Sequence, residues 1–168
     1  MTSQIRIAGV VKESIVDGPG IRLVVFAQGC HHHCEGCHNP ATHDLSGGHL
    51  VSIDTIIDEM KKNPLLDGIT LSGGEPFLQP EGFSELAKCA QAASYHVMTY
   101  TGYTYETLLA QPEQSWQQLL EHTDLLVDGR FEMAQKSLLL KFRGSQNQRI
   151  IDVKKSLQKN HLVLSELS

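Results

Sequence analysis

The chain has 168 residues, 40% of them hydrophobic and 20% charged, with a formal net charge of −5. That length suits one domain, expected over residues 1–168, which buries roughly two thirds of its unfolded surface. No run approaches the ~20 apolar residues of a membrane span, the N-terminal stretch lacks a secretory pattern, and Lys and Arg are scattered without a basic face, so a cytoplasmic protein binding neither membrane nor nucleic acid is expected.

Strand and helix signals alternate along the chain, which is the pattern of a parallel α/β layer. The first strand is read at Ile21 to Phe26, followed by a helix over Ile53 to Lys62 with Ile53, Ile56, Ile57 and Met60 on one face and Asp54 and Asp58 outward. A second strand covers Gly68 to Leu71, and a helix opens at Pro80 and runs to Ala93 with Phe83, Leu86, Ala87 and Ala90 inward. His96 to Thr101 alternates as a third strand, Tyr103 to Glu106 begins a short helix, and Trp116 to Leu120 continues helically after a Gln-Pro break. A fourth strand spans Asp124 to Val127 before a turn at Gly129, with a short strand at Arg149 to Val153 and a terminal amphipathic stretch.

Three cysteines, Cys30, Cys34 and Cys37, follow the first strand as C-x3-C-x2-C. Three thiolates on one loop can hold three irons of a cubane [4Fe-4S] cluster and leave the fourth iron open for chemistry. A cluster that only carries electrons would want a fourth cysteine. The one remaining, Cys89, lies in the helical segment and reads as buried packing. A structural zinc site using the three thiols and one of His31, His32, His33, His38 or His43 is the plain alternative. Zinc ribbons, however, pair two C-x2-C knuckles, and zinc would leave the stretch Leu71-Ser72-Gly73-Gly74-Glu75-Pro76 idle. His31 to His33 is read as a solvent-facing loop. Ser72 to Pro76 alone could be a strand-to-helix turn, although two glycines also let main chain approach a ligand without a Cβ in the way.

The cysteine loop and the Gly-Gly-Glu-Pro stretch together resemble the radical S-adenosylmethionine superfamily. The resemblance implies that Cys30, Cys34 and Cys37 carry the cluster, with S-adenosylmethionine chelating the open iron. It implies further that the backbone at Ser72, Gly73 and Gly74, with Glu75, meets the methionine amino group. Many members place an aromatic residue directly before the third cysteine; this chain has Gly36 there, which leaves His38 or the backbone for the adenine. Asn39, Thr101 and Asp128 complete the expected cofactor set.

Val16-Asp17-Gly18-Pro19-Gly20-Ile21-Arg22 is similar to the entry segment of glycyl radical enzyme activases. Without that likeness Asp17 to Gly20 would be a type I or II turn with Pro19 at its corner. Leu126 to Phe131 with Phe142-Arg143-Gly144-Ser145-Gln146-Asn147-Gln148-Arg149 resembles the activating proteins of anaerobic (class III) ribonucleoside-triphosphate reductases, and the match runs from about Ile7 to Asp152. Asp17, Gly18, Pro19, Gly20, Arg143 and Asn147 are then catalytic or partner-facing, and Arg130, Arg143 and Arg149 are candidates for carboxylate or ribose contacts. The plainer reading makes Asp128 and Gly129 a strand end, and Arg143 to Arg149 a surface turn with Ser145 or Asn147 as a cap.

Four to six β-α units are too few to close an eight-fold barrel of about 250 residues. The resemblance implies a partial, open (β/α) barrel of α/β class, with Cys30, Gly73, Thr101 and Asp128 at the C-terminal ends of its strands. It also implies a reaction: reductive cleavage of S-adenosylmethionine to methionine and a 5′-deoxyadenosyl radical, which takes a hydrogen atom from a glycine of the anaerobic ribonucleotide reductase large subunit, with a flavodoxin-like protein or another reductant supplying the electron. An activase of the formate-lyase type and a non-catalytic metal-binding module are the alternatives.

Overall fold

The computed structural model describes residues 3–32, 34 and 44–168. Its first element is one the sequence reading lacks: strand β1, Gln4–Ser14, with Ile5 and Ile7 buried between outward neighbours. Strand β2, Arg22–Ala27, pairs antiparallel with β1, and on the far side of β1 the short, exposed strand β3, His49–Ser52, pairs antiparallel again. From there the alternation is as expected. Helix α1 is Ile53–Lys61, capped by the Ser52 hydroxyl accepting from Thr55 N; strand β4 is Gly68–Gly73; a 3-10 turn covers Pro76–Leu78; and helix α2 is Pro80–Ala92. Strand β5, His96–Tyr100, precedes helices α3, Tyr105–Ala110, and α4, Gln114–Glu121. Strand β6, Leu125–Asp128, strand β7, Arg149–Asp152, and helix α5, Val153–Lys159, complete the chain.

The seven strands form one mixed sheet in the order β3-β1-β2-β4-β5-β6-β7. Only β2, β4, β5 and β6 are mutually parallel; β1, β3 and β7 run antiparallel to their neighbours. The parallel layer read from sequence is thus confined to these four strands, within a mixed sheet. The sheet is open, with β3 and β7 at its edges.

Period-two alternation gives the sheet two unlike faces. Leu23, Val25 and Ala27 of β2, Ile69 and Leu71 of β4, Val97 of β5 and Leu126 of β6 join the helix residues Ile56, Met60, Phe83 and Leu86 in the main core. The other face is thinly apolar, with Met98, Val127 and Ile150 backed by Tyr100 and Phe142, and it holds a fully buried arginine. The Arg22 guanidinium donates to Thr70 Oγ1 at 2.7 Å, Ile69 O at 2.8 Å, Pro19 O at 2.9 Å and His96 O at 3.1 Å. Burial lowers its pKa to about 10, so it stays charged at neutral pH. Thr70 Oγ1 in turn donates to Asp17 O at 2.8 Å, and Ile21 N donates to Asp67 Oδ2 at 2.8 Å. The Asp17 to Gly20 segment is therefore held against the sheet from beneath. Gly20 follows Pro19 with φ +76°, the value that the third position of a type II turn requires.

Among the described residues no helix is long and apolar enough to cross a membrane. Cys89 packs against the main core but is half-buried rather than fully enclosed, a correction to the sequence reading. Burial and the nearby Glu85 carboxylate raise its thiol pKa, which leaves it a poor nucleophile.

Truncating Arg22 strips partners from three backbone carbonyls, each worth about 1–3 kcal/mol when left unmet. Arg22→Ala is expected to lose at least ~3 kcal/mol in urea unfolding; a loss under ~1 kcal/mol would contradict this account of how the entry segment is held.

Candidate active site

The site is built where β2 and β4 end side by side. Leaving β2, the chain passes Gln28 and Gly29 to reach Cys30; leaving β4, it passes Gly73 and Gly74 to reach Glu75. Two short bonds tie these exits: Gly74 N donates to Ala27 O and Glu75 N to Gly29 O, both at 2.7 Å. A Cβ on Gly73, whose φ is +86°, would lie 2.6 Å from Phe26 Cα and Ala27 N; one on Gly74 would lie 2.4 Å from Gly29 O. The sequence reading opened these glycines to a ligand; they also admit the backbone at the root of the cysteine loop.

Glu75 is fully buried, and both of its carboxylate oxygens are engaged. Oε1 accepts from Thr101 Oγ1 at 2.9 Å and Phe77 N at 3.1 Å; Oε2 accepts from Gly102 N at 2.8 Å and lies 2.6 Å from His32 Nε2. Facing a carboxylate, that nitrogen carries the proton. The His32 side chain is only 4% exposed. Its ring meets Tyr103 edge-on at 4.6 Å, and it sits where a Cβ on Gly102 would come within 2.4 Å of its Cδ2. The solvent-facing histidine run read from sequence is corrected here: His31 is exposed, His32 points inward, and His33 lies outside the described residues.

Cys30 is buried and Cys34 half-buried, and both open on a cleft of about 650 Å³ across the C-terminal ends of the parallel strands. Cys37, His38 and Asn39 fall outside the described residues, as do Gly36 and His43. The cleft wall also takes Asp17, Ser72, Gly73, Gly74, Thr101 and Arg143. Asp17 is fixed by the Ser14 hydroxyl at 2.5 Å. Arg130, one of the three candidate arginines, lines the same cleft together with Phe142 and with Tyr100, to which the sequence reading gave no role in the site. Tyr100 donates its hydroxyl to Phe142 O, and burial raises its pKa. The alternation of β5 placed Tyr100 on the face of Met98, so this residue was within reach of the sequence pattern.

Gly18, Pro19, Gly20, Glu75, Asp128 and Asn147 stand behind or beside that wall. Asp128 is held by Arg149 through Nε at 3.0 Å and through Nη2, and by Tyr105 N at 2.8 Å. Arg149 also grips Glu106 at 2.7 Å, and its bond to Asp128 raises its pKa further. Asp128 and Asn147 line a neighbouring hollow shared with Arg130 and Arg149. The cap read for Ser145 or Asn147 is corrected, because strand β7 follows them and not a helix. Ser145 Oγ instead accepts from Glu132 N at 3.2 Å, and Asn147 Nδ2 donates to Arg130 O at 2.8 Å. Gln148, which lies in the quoted stretch but was given no role of its own, organises this loop: its Oε1 accepts from Gly144 N at 2.8 Å and its Nε2 donates to Gly129 O at 3.0 Å. Arg143 donates through Nη1 to Gln148 O at 2.7 Å, while its buried Nε has no partner among the described residues.

The donor set suits an iron-sulfur cluster, since the thiols of Cys30 and Cys34 open on one cleft and thiolates are the soft ligands that select such clusters. The model for a 4Fe-4S single cluster domain matches residues 16–151. The chain is 38% identical to an anaerobic ribonucleoside-triphosphate reductase-activating protein of Vibrio cholerae, over 80% of this chain and 89% of that one. It is 33% identical to the protein of the same description from Enterobacteria phage T4, over 80% and 86%. A pyruvate formate-lyase-activating enzyme of Clostridium pasteurianum is 36% identical over 73% of this chain, which spans only 50% of that relative. With near-full coverage on both sides and a cluster-domain match across the site, the chain belongs to the family of anaerobic ribonucleoside-triphosphate reductase-activating proteins.

Proposed function

We propose that this protein is the iron-sulfur activase of an anaerobic ribonucleoside-triphosphate reductase and installs a glycyl radical on that enzyme's large subunit. The observation that carries the reading is the convergence of Cys30 and Cys34 with Ser72 to Gly74 and Thr101 on one cleft. The open sheet is read as a partial (β/α) barrel with this cleft at its mouth. Cys30, Cys34 and Cys37 hold a [4Fe-4S] cluster, and the cleft takes S-adenosylmethionine. When bound, the pair supplies one-electron cleavage of the sulfonium, yielding methionine and a 5′-deoxyadenosyl radical that removes a hydrogen atom from a glycine Cα.

What the chain's own residues contribute is placement and shielding. The buried Cys30 ties the cluster to the end of β2, and the backbone bonds from Gly74 and Glu75 hold that anchor still. Arg149 is committed to Asp128 and Glu106, which leaves Arg143 and Arg130 on the cleft wall for the ligand's carboxylate or ribose. Arg143, with a buried Nε lacking a partner among the described residues, is the better placed. At the mouth, Val16 and Leu138 line the cleft and are 71% and 89% exposed. An apolar rim of this kind suits a macromolecular partner better than water. A flavodoxin-like protein or another reductant supplies the electron. The formate-lyase alternative is the weaker one, because the chain spans 89% of the reductase-activating relative but 50% of the formate-lyase one.

In the anaerobically reconstituted, reduced protein, Cys30→Ala, Cys34→Ala and Cys37→Ala are each expected to abolish formation of methionine and 5′-deoxyadenosine, while Cys89→Ala stays near the parent level. Loss of the cluster in Cys89→Ala would contradict the three-thiolate assignment. Removing a charge-assisted bond of ~1.5–3 kcal/mol, Arg143→Ala should raise KM for S-adenosylmethionine on the order of 10- to 100-fold with kcat little changed; an unchanged KM would take Arg143 off the ligand.

A further inference from the structure

A carboxylate offers about four acceptor sites, and in Glu75 all four are taken. The donors come from three places: Phe77 in the 3-10 turn, Thr101 and Gly102 beyond β5, and His32 in the cysteine loop. His32 stands two residues from Cys30 and two from Cys34, so the position of its ring constrains both thiols. Its seat is specific. Gly102 leaves room for the ring and Tyr103 closes one edge. Tyr103 packs on Trp116 at 5.0 Å, which packs on Phe77 at 5.5 Å, so an aromatic chain runs from the main core to the histidine.

We propose that His32 and Glu75 form a clasp that fixes the cysteine loop to the sheet and thereby sets the geometry and environment of the cluster, and that the Glu75 carboxylate is committed to this clasp and does not hold the amino group of S-adenosylmethionine. The proposal rests on the reading that Cys30, Cys34 and Cys37 carry the cluster. The two residues are positioning residues that act through the thiols. The ligand's amino group is then left to backbone around Ser72 to Gly74, on the cleft wall.

The test compares His32→Leu, Glu75→Gln and the double variant, each reconstituted without oxygen and reduced. Reduction potential and spectrum respond to hydrogen bonding and exposure around a cluster, so both singles should shift the midpoint potential and the electron paramagnetic resonance (EPR) spectrum in the same direction. The double should be no worse than either single, as for two halves of one interaction. On substrate, kcat should fall on the order of 10- to 100-fold, with KM for S-adenosylmethionine within about threefold of the parent. His32→Gln, whose amide can still donate to Glu75, should recover much of the parent spectrum. Gly102→Ala, which keeps both side chains but fills the ring's seat, should reproduce the His32→Leu signature even if Glu75→Gln folds poorly. The clasp is overturned if Glu75→Gln keeps the parent spectrum and potential while raising KM far above that of His32→Leu, since Glu75 would then be a substrate ligand. A Cys34→Ala protein that retained the parent's iron content would overturn the ligand reading beneath the clasp, and that result is separable from the behaviour of His32.

Discussion

A buried carboxylate holds this site together. Glu75 has no exposure to solvent and, among the described residues, no lysine or arginine paired with it; its carboxylate is met by two backbone N–H groups, one hydroxyl and one imidazole. Isolated buried charges are costly, and full hydrogen bonding is what makes one tolerable. Because the four donors come from three separate segments, meeting that requirement forces the ends of β4 and β5 and the cysteine loop into one arrangement. The glycines before it serve the same end by letting the exit of β4 lie against the exit of β2.

The unlike faces of the sheet explain why a cleft exists at all. Helices cover one face with a continuous apolar core, while the other carries Arg22, Thr70 and a small cluster around Met98. The partly polar face cannot be closed by another apolar layer. Two non-helical segments cross it instead: Asp17 to Gly20, tied down through Arg22 and Thr70, and the loop before β7, organised by Gln148. The space left between them and the cysteine loop is the cleft. Long loops of this kind position binding groups on a rigid scaffold.

Much of this was legible from sequence, for definite reasons. Helices α1 and α2 announce themselves by helical spacing, and all eight residues assigned to their inner faces are buried. Strands β2 and β6 are near-continuous apolar runs, as buried parallel strands are, while β4 and β5 intersperse Thr and other polar residues with apolar ones. Strand β1 was missed although Ile5 and Ile7 alternate with Gln4 and Arg6, because a polar start and two register shifts obscure the period. Strand β3 has four residues, none of them buried, and its two apolar residues, Leu50 and Val51, are too few to show a period. Within the site, spacing marked the cysteines and the Gly-Gly-Glu-Pro stretch but not the destination of side chains. A triple histidine reads as solvent-facing by composition. That His32 turns inward is decided by Glu75, 43 residues away, and by the empty side of Gly102. Asp128 is marked by its place at a strand end, but its bond to Arg149, which joins it to the β7 side of the sheet, carries no signal in the spacing.

The family assignment and the cleft converge on radical transfer to a partner protein, and the partner reports directly. A glycyl radical keeps one hydrogen on its Cα, so its EPR line is split in two. The decisive measurement is to incubate the reduced, reconstituted protein with S-adenosylmethionine and the large subunit of an anaerobic ribonucleotide reductase and to record that spectrum. The account predicts a doublet on the reductase that collapses when its glycines are deuterated at Cα and that fails to form without S-adenosylmethionine. Cleavage of S-adenosylmethionine with no radical on the reductase, or a radical formed only on a pyruvate formate-lyase, would contradict it.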